Sequence, residues 1–467
     1  MSRIIKNITV CCILHIFFFL KIFDAVPLLT AQESEYKFTI AETMVARALK
    51  DTIGYHFLRE LATLGHRLPG SESAARAVRW AKKKMEECEL DSVWLQSCPV
   101  PHWERGETEQ AMLLDSKGNK LHSLSIASLG NSIGTGQQGI EAEVLEVCSF
   151  EELHRKKEEA VGKMIFFNRP MDPETIKTFA AYGGAVNQRT QGAVEAAKAG
   201  GVAAIVRSVT TKYDNVPHVG VMHYEEGIPQ VPAAAIGLKD ADFLSRSLQQ
   251  DSFLKIQLKL DCCNFPDTTS YNVIGQLTGK EYPDEVIVIG GHFDCWDKGV
   301  GAQDDGGGCI QALEVLTLFQ RLGIQPKRTI RAVFYMNEEM GLSGAETYSK
   351  WSAVSGETHI AAIESDRGVH TPRGFFVDSD SVDLSTIQSW LPLLKKACIE
   401  WIRKGGSGAD VGRIQDSRVL IGYVPDIQRY FDFHHSANDI FSSVHPREME
   451  LGTAAMAVLV YMLSEDF

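Results

Sequence analysis

Five short segments of the sequence carry side chains that can bind metal and move protons. His292-Phe293-Asp294 spaces an imidazole and a carboxylate two residues apart, which on an extended strand sends both to the same side. A ligating imidazole usually gives its second N–H to a group that fixes the tautomer, and Asp294 stands where such a partner is needed. Gly301-Ala302-Gln303-Asp304-Asp305-Gly306-Gly307-Gly308 offers two carboxylates in a run of glycines just before a helix. Asp305 reads as the N-cap, and Asp304 as a carboxylate placed to bridge two cations. In Asn337-Glu338-Glu339 the adjacent side chains diverge, so one can bind metal while its neighbour faces a metal-bound water. That pairing of a Lewis acid with a separate general base is what a hydrolase needs. Asp366 in Glu364-Ser365-Asp366 adds a carboxylate, and His434-His435-Ser436-Ala437-Asn438-Asp439 adds two imidazoles, either of which can reach metal. Mixed nitrogen and oxygen ligation of this kind suits Zn²⁺, with Co²⁺ or Mn²⁺ as other occupants.

The surrounding pattern must hold these segments together. From Ser270 onward, strands at Tyr271–Gln276, Glu285–Gly290, Thr329–Met336, His359–Glu364 and Val419–Tyr423 alternate with helices. The helices read at Gly306–Leu322, Leu342–Val354, Leu384–Trp401 and Pro446–Leu463. Such alternation predicts an α/β fold with a mostly parallel, doubly wound sheet covered on both faces. Ligands of such sheets lie beyond the carboxyl ends of the strands, where most of the five segments fall. Upstream, helix-spaced apolar residues run over Tyr36–Leu64, and a second helix over Ser71–Glu87 follows the break His66-Arg67-Leu68-Pro69-Gly70. Strands read at Ser92–Val100 and Gln110–Leu114. From about Lys117 short strands and glycine-rich turns take over, with one helix, Ala193–Ala199, before the buried strand Val202–Val206. The chain is therefore expected to divide into 1–31, a first catalytic part at 32–116, a β-rich insert at 117–262 and a second catalytic part with the metal site at 263–467.

A length of 467 residues exceeds one average domain, and 44% hydrophobic with 23% charged residues is ordinary globular composition, which excludes disorder. With 47 Lys+Arg against 60 Asp+Glu the net charge is −13, so no basic field for nucleic acid is present. Arg3 and Lys6, the apolar run Ile8–Leu20 and the small residues at Thr30-Ala31 read as a secretory signal peptide cleaved near Ala31. The protein is expected to be secreted or periplasmic, with no stable membrane span after cleavage. Cysteines are irregularly spaced and read as core residues or one or two bridges rather than a disulfide framework.

Taken in order, His292-x-Asp294, Asp304-Asp305-Gly306, Glu338-Glu339, Asp366 and His435-Ser436-x-x-Asp439 resemble the M28 family of co-catalytic zinc exopeptidases. Trp296-Asp297, Pro326-Lys327-Arg328-Thr329 and Glu364-Ser365-Asp366 match its carboxypeptidase Q-like branch, and Ala193–Val206 is similar to a protease-associated (PA) domain. The resemblance implies a zinc-exopeptidase (phosphorylase/hydrolase-like) sheet with an inserted PA-like β-rich domain. It implies two Zn²⁺ per chain: one held by His292, Asp304 and Asp366, the other by Asp304, Glu339 and His435. Glu338 is then the general base and acid, Asp294 the partner of His292, and His434 a donor to the developing oxyanion or to substrate. The family's ligand directly precedes a small hydroxyl residue, which favours His435 over His434. Also implied are a cis Asp304–Asp305 peptide, substrates that are dipeptides or short peptides with a free amino end, and a homodimer. Two other readings share the fold: a single-zinc, glutaminyl cyclase-like acyltransferase, and a catalytically silent receptor-like module.

Overall fold

The computed structural model describes residues 35–467, so the signal-peptide segment lies outside the described residues. After β1 (Ser92–Glu104) come eight strands of one sheet. They are β2 (Glu109–Leu114), β3 (Lys120–Leu124), β4 (Ile126–Ser128), β5 (Ile140–Val147), β6 (Met164–Phe167), β7 (Ala203–Arg207), β8 (Ala233–Ile236) and β9 (Lys255–Leu260). The chain then returns to the sheet of β1 with β10 (Cys263–Leu277), β11 (Tyr282–His292), β12 (Arg328–Tyr335), β13 (Thr358–Glu364), β14 (Pro372–Asp378), β15 (Trp401–Lys404) and β16 (Val419–Pro425). This first sheet runs β1-β10-β12-β11-β13-β16-β14-β15. Its centre, β12-β11-β13-β16, is parallel, whereas β1, β10 and the β14–β16 pairing are antiparallel.

Strand composition explains the layering. Val286, Ile287, Val288 and Ile289 of β11 are all fully buried, as a strand covered on both faces requires. Alternate residues go to opposite sides. Ile287, Ile289, Phe334, Ala361 and Ile363 join the core under helices Gly307–Arg321 and Pro446–Asp466, while Val286, Val288, Val333, Tyr335 and Ala362 meet Ala345 and Tyr348 of helix Ser343–Ser352. The parallel strands therefore end together on one edge.

Three local expectations change. The helix expected over Tyr36–Leu64 is broken at Thr52, whose left-handed φ of 49° separates a helix at 35–51 from Ile53–Ala62. The helix expected over Leu384–Trp401 becomes Ser381–Ser389 and Leu391–Leu394, followed by a left-handed Cys398 and then β15 on β14. Pro392 has no N–H with which to continue the preceding helix. The boundary expected at 117 falls inside the β2–β3 hairpin of the second sheet, because Ala111 and Leu113 bury with Ile256 and Leu258 of β9. The second sheet runs β3-β2-β9-β5-β6-β7-β8-β4. All eight cysteines among the described residues are unpaired, and no described helix is long and apolar enough to cross a membrane.

Helix Pro446–Asp466 lays Glu450 against Glu314 of helix Gly307–Arg321, both fully buried. One Glu450 oxygen accepts the Tyr55 N–H at 3.1 Å. Burial, and then repulsion from Glu314, pushes the Glu450 carboxyl up to about 10. The folded chain thus keeps a proton that the unfolded chain releases near the ordinary glutamate value, so this group costs more stability as pH rises between the two. Glu450→Gln is expected to melt above the unmodified chain at about pH 8 and to lose that advantage near about pH 4, as thermal melts across the range will read.

Candidate metal centre

Every segment singled out in the sequence arrives at the carboxyl edge of the first sheet. β11 ends at His292, β12 leads into Glu338 and Glu339, β13 into Asp366, and β16 into the loop carrying His434 and His435. Asp304 and Asp305 come from the turn that opens helix Gly307–Arg321, and their peptide bond is cis.

Asp304 is central. Its Oδ1 lies 3.0 Å from His292 Nε2, which is also 3.5 Å from Asp366 Oδ1. Its Oδ2 faces the other way, 3.4 Å from His435 Nε2 and 3.9 Å from His434 Nε2. His435 Nε2 is in turn 2.9 Å from Glu339 Oε2, which also accepts Trp296 Nε1–H at 2.6 Å. Asp304 Oδ2, Asp366 Oδ1 and Glu339 Oε1 are buried without a hydrogen-bond partner. Buried acceptors normally find donors, so three carboxylates that each keep an unpartnered oxygen and each meet an imidazole nitrogen fit a cation. His292, Asp304 and Asp366 bring ligand atoms within 4.8 Å of one another, as do Asp304, His434 and His435.

Charge crowding points the same way. Burial pushes Glu338 well above the carboxylate range, against the pull of His292, and Asp366, Glu339 and Asp294 add repulsion. Burial raises Glu339 likewise, helped by Asp304. Asp304 resists burial because the hydrogen bond from His292 holds it below its ordinary value. Burial lowers His435 to about 3, leaving its imidazole neutral. Such a set of carboxylates is stable when cations neutralise it.

Asp294 does not do what the sequence led us to expect. His292 Nδ1 bonds the main-chain carbonyl of Asp294 at 3.0 Å, while the carboxylate stays 3.9 Å away. The carboxylate instead accepts the N–H groups of Asn337 (2.7 Å), Glu338 (3.0 Å) and Glu339 (3.1 Å). Main-chain donors out-compete the imidazole because the β12 end curls over Asp294 with Asn337 at a left-handed φ of 73°. Asp439, quoted in the motif without a role, does the same on the other side: it accepts from the N–H groups of Ala302 (3.0 Å), Gln303 (2.7 Å) and Asp304 (3.1 Å). Asp305 caps the glycine turn through Gly308 N–H at 3.1 Å and also accepts His292 N–H at 3.1 Å. A Cβ on Gly291 would lie 2.0 Å from that carboxylate, so only glycine fits there. Arg67 ties the turn down by donating to the carbonyls of Phe293 (2.5 Å), Val300 (2.6 Å) and Gly301 (3.0 Å).

A sequence model of peptidase family M28 matches residues 272–460. Carboxypeptidase Q of Bos taurus is 37% identical over 405 residues, spanning 86% of this chain and 83% of that protein. The chain belongs to peptidase family M28. Carboxypeptidase Q of Xenopus laevis is 39% identical over 404 residues, with 86% of this chain and 84% of that protein covered. The structure of a peptidase M28 precursor from Shewanella amazonensis SB2B superposes with a TM-score of 0.86 at 31% identity, over 92% of this chain and 97% of that one. A zinc aminopeptidase from Bacillus subtilis has the same fold at 18% identity, with a TM-score of 0.62 over 86% of this chain and 93% of that one. This M28 chain is thus a metallopeptidase by family.

Missing from the sequence reading were Arg189, Tyr182 and His218, which reach the His434-His435 loop from the second sheet. No spacing links them to residues more than 200 positions away. The Asp439 clamp makes a direct prediction. Asp439→Asn replaces one of the two acceptor oxygens by an NH2 group that faces main-chain N–H, and orphaning buried donors costs about 1–3 kcal/mol each. Urea unfolding of the metal-free protein is expected to show a loss of about 2–4 kcal/mol.

Proposed function

We propose that this chain is an exported di-zinc exopeptidase that hydrolyses dipeptides or removes the N-terminal residue of short peptides. The observation that carries the reading is that Asp304, Asp366 and Glu339 each keep a buried oxygen without a partner while each carboxylate meets an imidazole nitrogen of His292 or His435. In this reading His292, Asp304 and Asp366 hold one zinc, and Asp304, Glu339 and His435 the other, with the two Asp304 oxygens facing the two sites. The similarity to carboxypeptidase Q supports a peptide substrate, and the N-terminal basic and apolar run supports export.

Bound zinc supplies Lewis-acid polarisation of the scissile carbonyl and makes water a better nucleophile at neutral pH. The side chains supply the proton transfers. Glu338, the partly exposed neighbour of buried Glu339, takes the proton of the attacking water and later delivers it to the leaving amine. Its elevated affinity for protons suits that shuttle. Asp294 holds the main chain of both glutamates, so Glu338 keeps its reach while Glu339 stays turned toward His435. His434 stacks on His435 with ring centroids 3.5 Å apart, and its buried Nδ1 has no partner. That imidazole is available to donate to the oxyanion that develops on the attacked carbonyl, a contribution of about 2.7–4 kcal/mol.

Chelation is expected to abolish activity, and added Zn²⁺ or Co²⁺ to restore it; full activity of metal-free protein would overturn the reading. Metal content per chain separates it from the other two: two ions here, one for a cyclase-like acyltransferase, none for a silent receptor-like module. Glu338→Gln is expected to keep both ions and lose turnover by about 10²–10⁴-fold. Loss of an ion in that variant would mean that Glu338 and Glu339 have exchanged roles. His434→Ala is expected to keep both ions with reduced kcat, whereas His435→Ala loses one. Comparing free dipeptides, N-acetyl dipeptides and longer peptides then tells dipeptidase from aminopeptidase.

A further inference from the structure

Arg189 is a buried guanidinium in helix Asn187–Lys198 of the second-sheet unit, 6% exposed. No ion pair within 4.0 Å is formed by Arg189 among the described residues, although burying an unpaired charge is costly. The chain makes room for it. Gly220, at φ 140°, would place a Cβ 2.4 Å from the guanidinium carbon.

Its hydrogen bonds show where the charge is used. Nη2 donates to the Tyr182 hydroxyl at 2.8 Å, and the guanidinium lies 5.5 Å from that ring's centroid. Nη1 donates to the Val219 carbonyl at 3.2 Å. The same carbonyl accepts His435 Nδ1–H, also at 3.2 Å. A carbonyl has two lone pairs and can take both donors. Val219 N–H in turn donates to the His435 carbonyl at 2.8 Å.

His435 needs such a hold, because it adopts a left-handed φ of 58°. A non-glycine residue there costs about 1–3 kcal/mol and persists only where its surroundings over-determine it. Neighbouring contacts come from the same unit: His218 Nδ1–H donates to the His434 carbonyl at 2.7 Å, and Thr210 Oγ1–H to the Phe431 carbonyl at 2.6 Å. Val219 lies between the isolated bridges His218–Ser436 and Gly130–Val221, but its own carbonyl accepts no main-chain N–H among the described residues; Arg189 and His435 are its donors.

We propose that Arg189 is a positioning residue for metal binding: it pins the Val219 carbonyl, which fixes the His435 tautomer and aims Nε2 at the centre. The second-sheet unit is then part of the metal site rather than an appendage. This rests on the di-zinc reading above. The test is zinc affinity of the full chain, measured by competition with a chelator. Arg189→Met is expected to weaken one of the two ions by about 10–100-fold, with Arg189→Lys recovering most of the loss through its ammonium donor. In a His435→Ala background, Arg189→Met should leave the remaining ion unaffected. Unchanged affinity in Arg189→Met, or an equal loss when His435 is already replaced, overturns the proposal. If Arg189→Met does not fold, Arg189→Gln carries the same comparison. Two ions at undiminished affinity in His435→Ala alone would overturn His435 as a ligand, and fewer than two ions in the unmodified chain would overturn the di-zinc reading instead.

Discussion

Two buried carboxylates, Asp294 and Asp439, spend their oxygens on runs of three consecutive main-chain N–H groups. The rest of the centre hangs on those bonds. One clamp fixes the end of β12 and so places Glu338 and Glu339; the other fixes the glycine turn and places Asp304. The carboxylates proposed to hold zinc keep oxygens free and have few ties of their own, such as Trp296 Nε1–H on Glu339. Their precision has to come from the main chain, and a fully buried carboxylate is a strong enough acceptor to supply it.

The clamps also explain how so many acids coexist. Asp294, Asp304, Asp305, Glu339 and Asp439 are all buried within one edge of the sheet. For Asp294 and Asp439, main-chain N–H groups offset part of the cost of burial, which still pushes both carboxyls upward. Asp304, Glu339 and Asp366 each keep an oxygen that accepts nothing, and each carboxylate stands beside His292 or His435. This division between acids that accept main-chain N–H groups and acids that keep an oxygen free is physical, and it is absent from the residue types themselves.

A second dependency joins the two sheets. The loop after β16 cannot hold His435 in a left-handed conformation by its own bonds. Val219, His218 and Thr210 of the second-sheet unit supply what is missing. The aromatic cluster of Tyr182, Tyr430, Phe431 and His434 closes the same junction from the side, with Tyr182 edge-on to His434 at 5.2 Å.

How much of this the sequence carried depended on range. Apolar strands alternating with helices placed β11, β12, β13 and β16 in one parallel core. Because parallel strands end on one edge, the residues after them had to meet, and His292, Asp304, Glu338, Glu339, Asp366 and the pair His434-His435 were legible as a group, the choice of His435 coming from the family resemblance. The helix–strand switch near Trp401 was not legible, since a helix pattern there competes with pairing to β14, which only the assembled sheet offers. Nor was the use of Asp294, whose type and spacing allow an imidazole partner equally well. Its choice was made by the curl of a strand end some forty residues later. Arg189 lies farther still from His435, and the carbonyl they share belongs to neither. Type and spacing determine which chemistry the chain can perform; which oxygen meets which donor is settled by segments that pack together only in the folded protein.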